Sequence, residues 1–113
     1  MPKNILNGKL GEDLAANFLI EKGYEILIRN FRYKKSEIDI IALHNCILIF
    51  IEVKYRSNLD YGYPEAFVTA KKESMIIAGA EQFIYDKQWM GKIRFDIISA
   101  DDSKNIMHFI DAF

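Results

Sequence analysis

The stretch that most limits how this chain can fold is "ILIFI", residues 47–51, inside the longer run "EIDIIALHNCILIFIEVKYR" at 37–56. Side chains alternate across a strand. A strand that is apolar at every position therefore needs cover on both faces, which predicts a central strand with a layer on each side. Charge enters only toward its end, at Glu52, Lys54 and Arg56, and in the preceding segment at Glu37 and Asp39. Charges carried into segments this apolar ask for a reason.

The two segments read as strands joined by a short turn at His44–Asn45. That turn sets Asp39 opposite Phe50 and Glu37 opposite Glu52. A turn at Asn45–Cys46 sets Asp39 opposite Glu52 instead. Strict alternation puts Glu37, Asp39, Ile41 and Leu43 on one face, and Leu48, Phe50, Glu52, Lys54 and Arg56 on one face of the next strand. Both registers then bring the carboxylates to one side of the sheet. Opposed carboxylates repel unless a proton or a cation separates them. Mg²⁺ or Mn²⁺ suits such oxygen donors, and Lys54 would project beside it. An ion pair of Lys54 with Glu52 or Asp39 accounts for the same residues, so the chemistry alone leaves both readings open.

The rest of the chain supplies the layers. Leu10, Leu14, Ala15, Phe18 and Leu19 follow helical spacing up to Lys22, and Gly23 is a stop signal. Glu12 lies about 20° from Leu19 on the helical wheel, at the margin of the apolar stripe. A glutamate there also fits the first turn of a helix, where it complements the dipole. "YEILIRNFRY" has strand composition, with Tyr24, Ile26, Ile28 and, by continuation, Asn30 on one face. "KKS" is a polar break. A loop at Tyr61–Pro64 leads to a helix from Pro64 or Glu65 to Lys87, with Phe67, Ala70, Ile77, Ala80, Phe83 and Ile84 as its stripe and Gly79 inside. Trp89–Gly91 ends it. "IRFDIISA" and "IMHFIDAF", separated by "DDSK", complete the strands. The expected fold is α/β, a central mixed sheet flanked by helices, in the order helix, three strands, helix, two strands. The second helix is long enough for a parallel crossover. The 113 residues fit a single domain.

No signal peptide is expected in the polar start, and no apolar run reaches the ~20 residues of a membrane span. One cysteine, Cys46, suits a reducing cytoplasm. Zinc-type Cys–His spacing, a phosphate-binding glycine loop and a Ser–His–Asp set are all missing from the sequence. His44 and His108 read as structural. The formal charge is −1, yet Arg29, Arg32, Lys34, Lys35, Lys54 and Arg56 cluster in sequence. Such a cluster binds phosphate or is simply solvated.

Several separated motifs resemble the YraN-like family of uncharacterised bacterial proteins. They are "GKLGEDLAANFL", "GYEILIRNFR", "EIDIIA", "FIEVKYR", "YGYPEAFVTAKK" and "RFDII", in order along nearly the whole chain. That family is similar to the PD-(D/E)xK nucleases, and most to archaeal Holliday-junction resolvases. The resemblance implies a restriction-endonuclease-like fold and a metal-dependent phosphodiester-cleaving site. Asp39 matches the motif aspartate, Glu52 the following acid, Lys54 the motif lysine and Glu12 the acid of the first helix. Asp39, Glu52 and Glu12 would hold Mg²⁺ or Mn²⁺, and Lys54 would assist the attacking water. Arg29, Arg32, Lys34, Arg56 and Lys72 would hold the DNA backbone, branched DNA included, with a homodimer or partner extending the grip. Ser36 replaces the family's usual glycine before Glu37, and Tyr55 its usual small hydroxyl residue before Arg56. The alternative is a nucleic-acid-binding module that keeps the fold without catalysis.

Overall fold

A computed structural model describes the backbone of residues 3–56 and 68–113, with side chains from residue 8 onward. The elements run α1 Lys3–Glu21, β1 Glu25–Tyr33, β2 Ser36–His44, β3 Ile47–Arg56, α2 Ala70–Lys87, β4 Lys92–Asp101 and β5 Ile106–Phe109. This is the expected order. The sheet follows sequence order, β1-β2-β3-β4-β5. β3 and β4 are parallel, and the other neighbouring pairs are antiparallel. The β3–β4 pair is the parallel crossover expected of a connection long enough to hold α2. No described helix is long and apolar enough to cross a membrane.

The double apolar character of β3 has the consequence read from it. Ile49 and Ile51 pack with Ala15, Ala16 and Leu19 of α1. Leu48 and Phe50 pack with Ile76, Ala80 and Phe83 of α2. One helix thus covers each face of the sheet, and the core lies in two layers.

Four expectations shift. The hairpin turn is Asn45–Cys46, not His44–Asn45. Both of its residues have positive φ, 51° and 64°, the twist that a two-residue hairpin favours. α1 begins at Lys3, and Leu10 lies across the helix from the buried Ala15 and Leu19 and is exposed. In α2, Ile76 is buried while Ile77 is exposed, and Ala70 is exposed too. The loop at Tyr61–Pro64, the helix start at Pro64 or Glu65, and Phe67 lie outside the described residues. The last strand stops at Phe109, and the chain then turns at Ile110.

Two glycines have identifiable work. Gly23, at φ 90°, takes the left-handed step that ends α1. Gly79 lets α2 approach the start of β2, because an added Cβ would stand 2.5 Å from Ser36 Oγ and 3.3 Å from its Cβ. The Ser36 hydroxyl donates to the Met75 carbonyl of α2. Ser36 therefore docks α2 onto β2. Gly79→Ala is expected to lower stability by about 1–3 kcal/mol through overpacking, and the loss should shrink when Ser36→Gly is added. Denaturant unfolding of the four proteins in this cycle checks the coupling.

Candidate active site

β2 and β3 part company where the charges begin. Their pairing ends at Ile40↔Ile51. β2 stays paired to β1 through Ser36, and β3 to β4 through Arg56. The register continues to Asp39 and Glu52 as the next residues of the opening. Inside this fork the Val53 N–H donates to Asp39 Oδ2 at 2.8 Å. The Asp39 and Glu52 carboxyls lie against each other. Glu52 is only 3% exposed and has two ammonium neighbours, Lys72 Nζ at 3.2 Å and Lys54 Nζ at 3.5 Å.

The carboxylates do not meet by simple alternation. Ile38 belongs to the α2-side core and Ile40 to the α1-side core. Two residues apart on a regular strand, they would share a face. The break falls at Asp39, and β1 breaks beside it: Asn30 has φ 57°, and its neighbours Arg29 and Phe31 pair with Ile40 and Ile38. Asp39 consequently lines a cavity of about 600 Å³ on the α1 side, together with Glu12, Arg29, Asn30, Glu37 and Val53. Glu52, reached by Lys72 of α2, belongs to the other side. The two carboxyls touch through the fork rather than across one face.

Glu12 is buried midway along α1, so a helix start does not account for it. Two residues of β1 do. Arg29 Nε donates to Glu12 Oε1 at 2.8 Å, and Asn30 Nδ2 donates to the same oxygen at 3.0 Å. Arg29 Nη2 also binds Asp13 Oδ1 at 2.6 Å, which holds the Asp13 carboxyl below its usual range. Arg29 is thus committed to α1 carboxylates. Among the described residues, no three His, Cys, Asp or Glu side chains converge closely enough to form a ready metal cage.

The remaining basic residues spread along this end of the sheet. Arg32 is 75% exposed, and its Nη2 stands 3.6 Å from Glu37 Oε1. Lys34 sits in the β1–β2 turn with Nζ over the Tyr33 ring. Arg56 ends β3 opposite Asp101 of β4. Tyr55, on the α1 side, lies under Gly11, where an added Cβ would come within 2.9 Å of its own.

Burial, and then the neighbouring Glu52, push the Asp39 carboxyl up to about 8, against an ordinary 3.8. A group whose folded pKa is raised contributes fully below its unfolded pKa and loses that contribution as pH rises toward the folded one. Asp39 should therefore make the protein progressively less stable between about pH 4 and 8. The amide of an Asp39→Asn variant would still accept the Val53 N–H without carrying charge. Asp39→Asn is expected to have a melting temperature that gains on the parent's by roughly 5 °C or more between pH 5 and pH 8. Parallel melting curves across that range check it, and a constant difference would contradict the assignment.

A second buried cluster escapes the sequence reading. Asp96 is fully buried on β4. It accepts from Arg94 Nε and Nη2, each at 2.8 Å, and from the Asp111 N–H at 2.9 Å, and it pairs with His108 Nε2 at 2.8 Å. Burial alone would raise this carboxyl; the bonds from His108, Arg94 and Asp111 outweigh it and leave the group below its usual range. Arg94 reaches on to the Tyr24 hydroxyl at 3.2 Å. The signal was present as "RFD", which puts Arg94 and Asp96 two apart on one strand face.

Fold and site define a small mixed α/β protein with a carboxylate pair and flanking lysines in an opened sheet. Residues 11–100 match the model of "Uncharacterised protein family UPF0102". The chain belongs to this family, the YraN-like proteins its motifs resemble. A UPF0102 protein of Cytophaga hutchinsonii is 45% identical over 109 residues, covering 96% of each chain. One from Flavobacterium psychrophilum is 42% identical over 109 residues, covering 94% of this chain and 92% of that one. Among solved structures, SfsA of Pyrococcus furiosus in complex with Ca²⁺ aligns at a TM-score of 0.33 and 15% identity, covering 95% of this chain and 63% of that one.

Proposed function

We propose that this protein is a metal-dependent DNA endonuclease of the restriction-endonuclease-like, resolvase-like kind, with its active site in the β2–β3 fork. One observation carries the reading: two carboxyls in contact, Asp39 and Glu52, with Lys54 beside them and Asp39 pushed up to about 8. Two carboxyls this close resist ionising together unless a proton or a cation lies between them. Mg²⁺ is commonly held by one or two carboxylates, with water and substrate phosphate completing the shell, so the donor set fits without a third protein ligand.

Asp39 and Glu52 would hold Mg²⁺ or Mn²⁺, with Glu12 supporting from across the cavity. When bound, the cation would supply Lewis-acid polarisation of a phosphate oxygen and a more acidic water. Lys54 Nζ, 3.5 Å from Glu52 Oε2, can orient that water and stabilise charge on the phosphate. Lys72 holds Glu52 from α2 and can turn to a phosphate when Glu52 takes a cation. Arg32 and Lys34, both exposed on the β1–β2 side, and Arg56 at the end of β3 would hold the DNA backbone without reading bases. Arg29, assigned to the same role from the sequence, is engaged with Glu12 and Asp13.

The test is cleavage of duplex, single-stranded and four-way-junction DNA by the purified protein, with Mn²⁺, with Mg²⁺ and with chelator. Metal-dependent cleavage is expected. A second reading, a DNA-binding module without catalysis, draws on the ion pairs that already neutralise Glu52 and Glu12. It gains if the protein binds DNA with a steep salt dependence and leaves every substrate intact.

A further inference from the structure

We propose that Asn30 is a positioning residue that fixes the Glu12 carboxylate in the cavity wall, and that its left-handed backbone turns its own amide and the neighbouring Asp39 to the α1 side. The proposal rests on the fork being the metal site, and it adds a residue that no motif reading assigned.

On a regular strand, Arg29 and Asn30 would face opposite sides of the sheet. Here both donate to the same oxygen, Glu12 Oε1, from Arg29 Nε at 2.8 Å and Asn30 Nδ2 at 3.0 Å. Asn30 achieves this with φ 57°. Few residues other than glycine accept that conformation, and asparagine is foremost among them. The step also returns the next residue to the opposite side, where Phe31 meets the Phe83 ring edge-on at 5.4 Å. Without it, Phe31 would lose that contact and the Asn30 amide would turn away from α1.

The same step acts on β2. Arg29↔Ile40 and Phe31↔Ile38 keep one register on either side of Asn30 and Asp39. Both strands therefore shift faces together at this one level. Asp39 ends on the α1 side of the sheet with Asn30, and both line the cavity. The Asn30 backbone thus helps aim Asp39 into the fork while its amide anchors Glu12. With Oε1 engaged by two donors, the rotation of the Glu12 carboxylate is fixed where it lines the cavity. Hydrogen-bonded partners of this kind typically change metal affinity by about 10–100-fold.

Three variants separate backbone from amide. Asn30→Gly keeps the left-handed step and removes the amide. Asn30→Asp keeps the shape and sets a second carboxylate against Glu12. Asn30→Val opposes the step itself. Two readouts are used, Mn²⁺ binding by calorimetry and the side-chain ¹⁵N–¹H₂ resonance of Asn30 in metal-free protein. Asn30→Gly is expected to melt close to the parent and to bind Mn²⁺ roughly 10-fold more weakly, while Asn30→Val loses thermal stability. Asn30→Asp should bind Mn²⁺ differently from Asn30→Gly, because it adds an oxygen donor while losing the anchor. In the metal-free protein, Glu12→Ala should shift the Asn30 side-chain resonance and leave the other asparagines in place. Unchanged Mn²⁺ affinity in Asn30→Gly, or an Asn30 resonance indifferent to Glu12→Ala, overturns the proposal. A parent protein that binds no Mn²⁺ overturns the metal reading of the fork, and the resonance test then decides the anchoring of Glu12 by itself.

Discussion

Asp96→Ala is expected to destabilise the protein by about 3–5 kcal/mol, the usual cost of removing one partner from a buried ion pair. Asp96 is the acceptor on which Arg94, His108 and the Asp111 N–H converge. Its loss leaves the Arg94 guanidinium, whose side chain is only 17% exposed, with the Tyr24 hydroxyl as its remaining hydrogen-bond partner in this cluster. It also loosens the C-terminal segment, removing the tie from the Asp111 N–H and leaving the bond from the Ala112 N–H to the Phe95 carbonyl. A melting temperature lower by roughly 10–25 °C follows for a chain of this size. Replacing the charges together, as Arg94→Met with Asp96→Leu, should recover much of the loss, because a matched apolar pair leaves no uncompensated charge. Chemical denaturation of the single and double variants measures both effects. A loss under about 1 kcal/mol for Asp96→Ala, well short of the buried-pair cost, would mean that the cluster does not staple β4 to the chain's end.

Lys54→Ala should reduce cleavage by about 10²–10³-fold or more, the scale for losing a group that stabilises charge at the reacting centre. The fold should survive, since Lys54 stands near the end of β3, beyond the all-apolar run. Glu52→Ala should abolish cleavage by removing half of the carboxyl pair. The informative comparison is with Arg32→Ala, which should weaken DNA association and reduce its salt dependence by about one counterion, with much less effect on turnover of bound DNA. Rates at saturating DNA, with binding measured separately over a salt series, distinguish these roles. If Lys54→Ala and Glu52→Ala cut like the parent while Arg32→Ala does not, the reacting centre lies elsewhere.

The sheet and its two helix layers were legible because "ILIFI" is apolar on both faces and the hairpin beside it is short. The pairing of Asp39 with Glu52 was legible only as one of two registers. A choice between adjacent turn positions depends on positive φ at Asn45 and Cys46, which asparagine suggests and cysteine does not. Asp39 and Glu52 do not share a face, for a physical reason. Alternation holds only while a strand is regular, and the left-handed Asn30 and the matching shift at Asp39 break it at the very level of the site. Glu12 was found at the edge of the helical stripe, but its partners were not, because Arg29 and Asn30 would face opposite sides of an undistorted strand. The Arg94–Asp96–His108 cluster was half visible in "RFD". Its third member comes from β5, which only the sheet brings alongside.

The central claim is that the Asp39–Glu52 pair is a divalent-cation site serving phosphodiester hydrolysis. Calorimetric titration of Mn²⁺ into the metal-free protein at about pH 7, in two buffers of different ionisation enthalpy, tests the site most directly. With Asp39 pushed up to about 8, each bound Mn²⁺ should release about one proton. Both the binding and the released proton should be lost in Glu52→Ala, and the proton should be lost in Asp39→Asn. Absence of Mn²⁺ binding in the parent, or binding that survives both substitutions with its proton release unchanged, would contradict the claim.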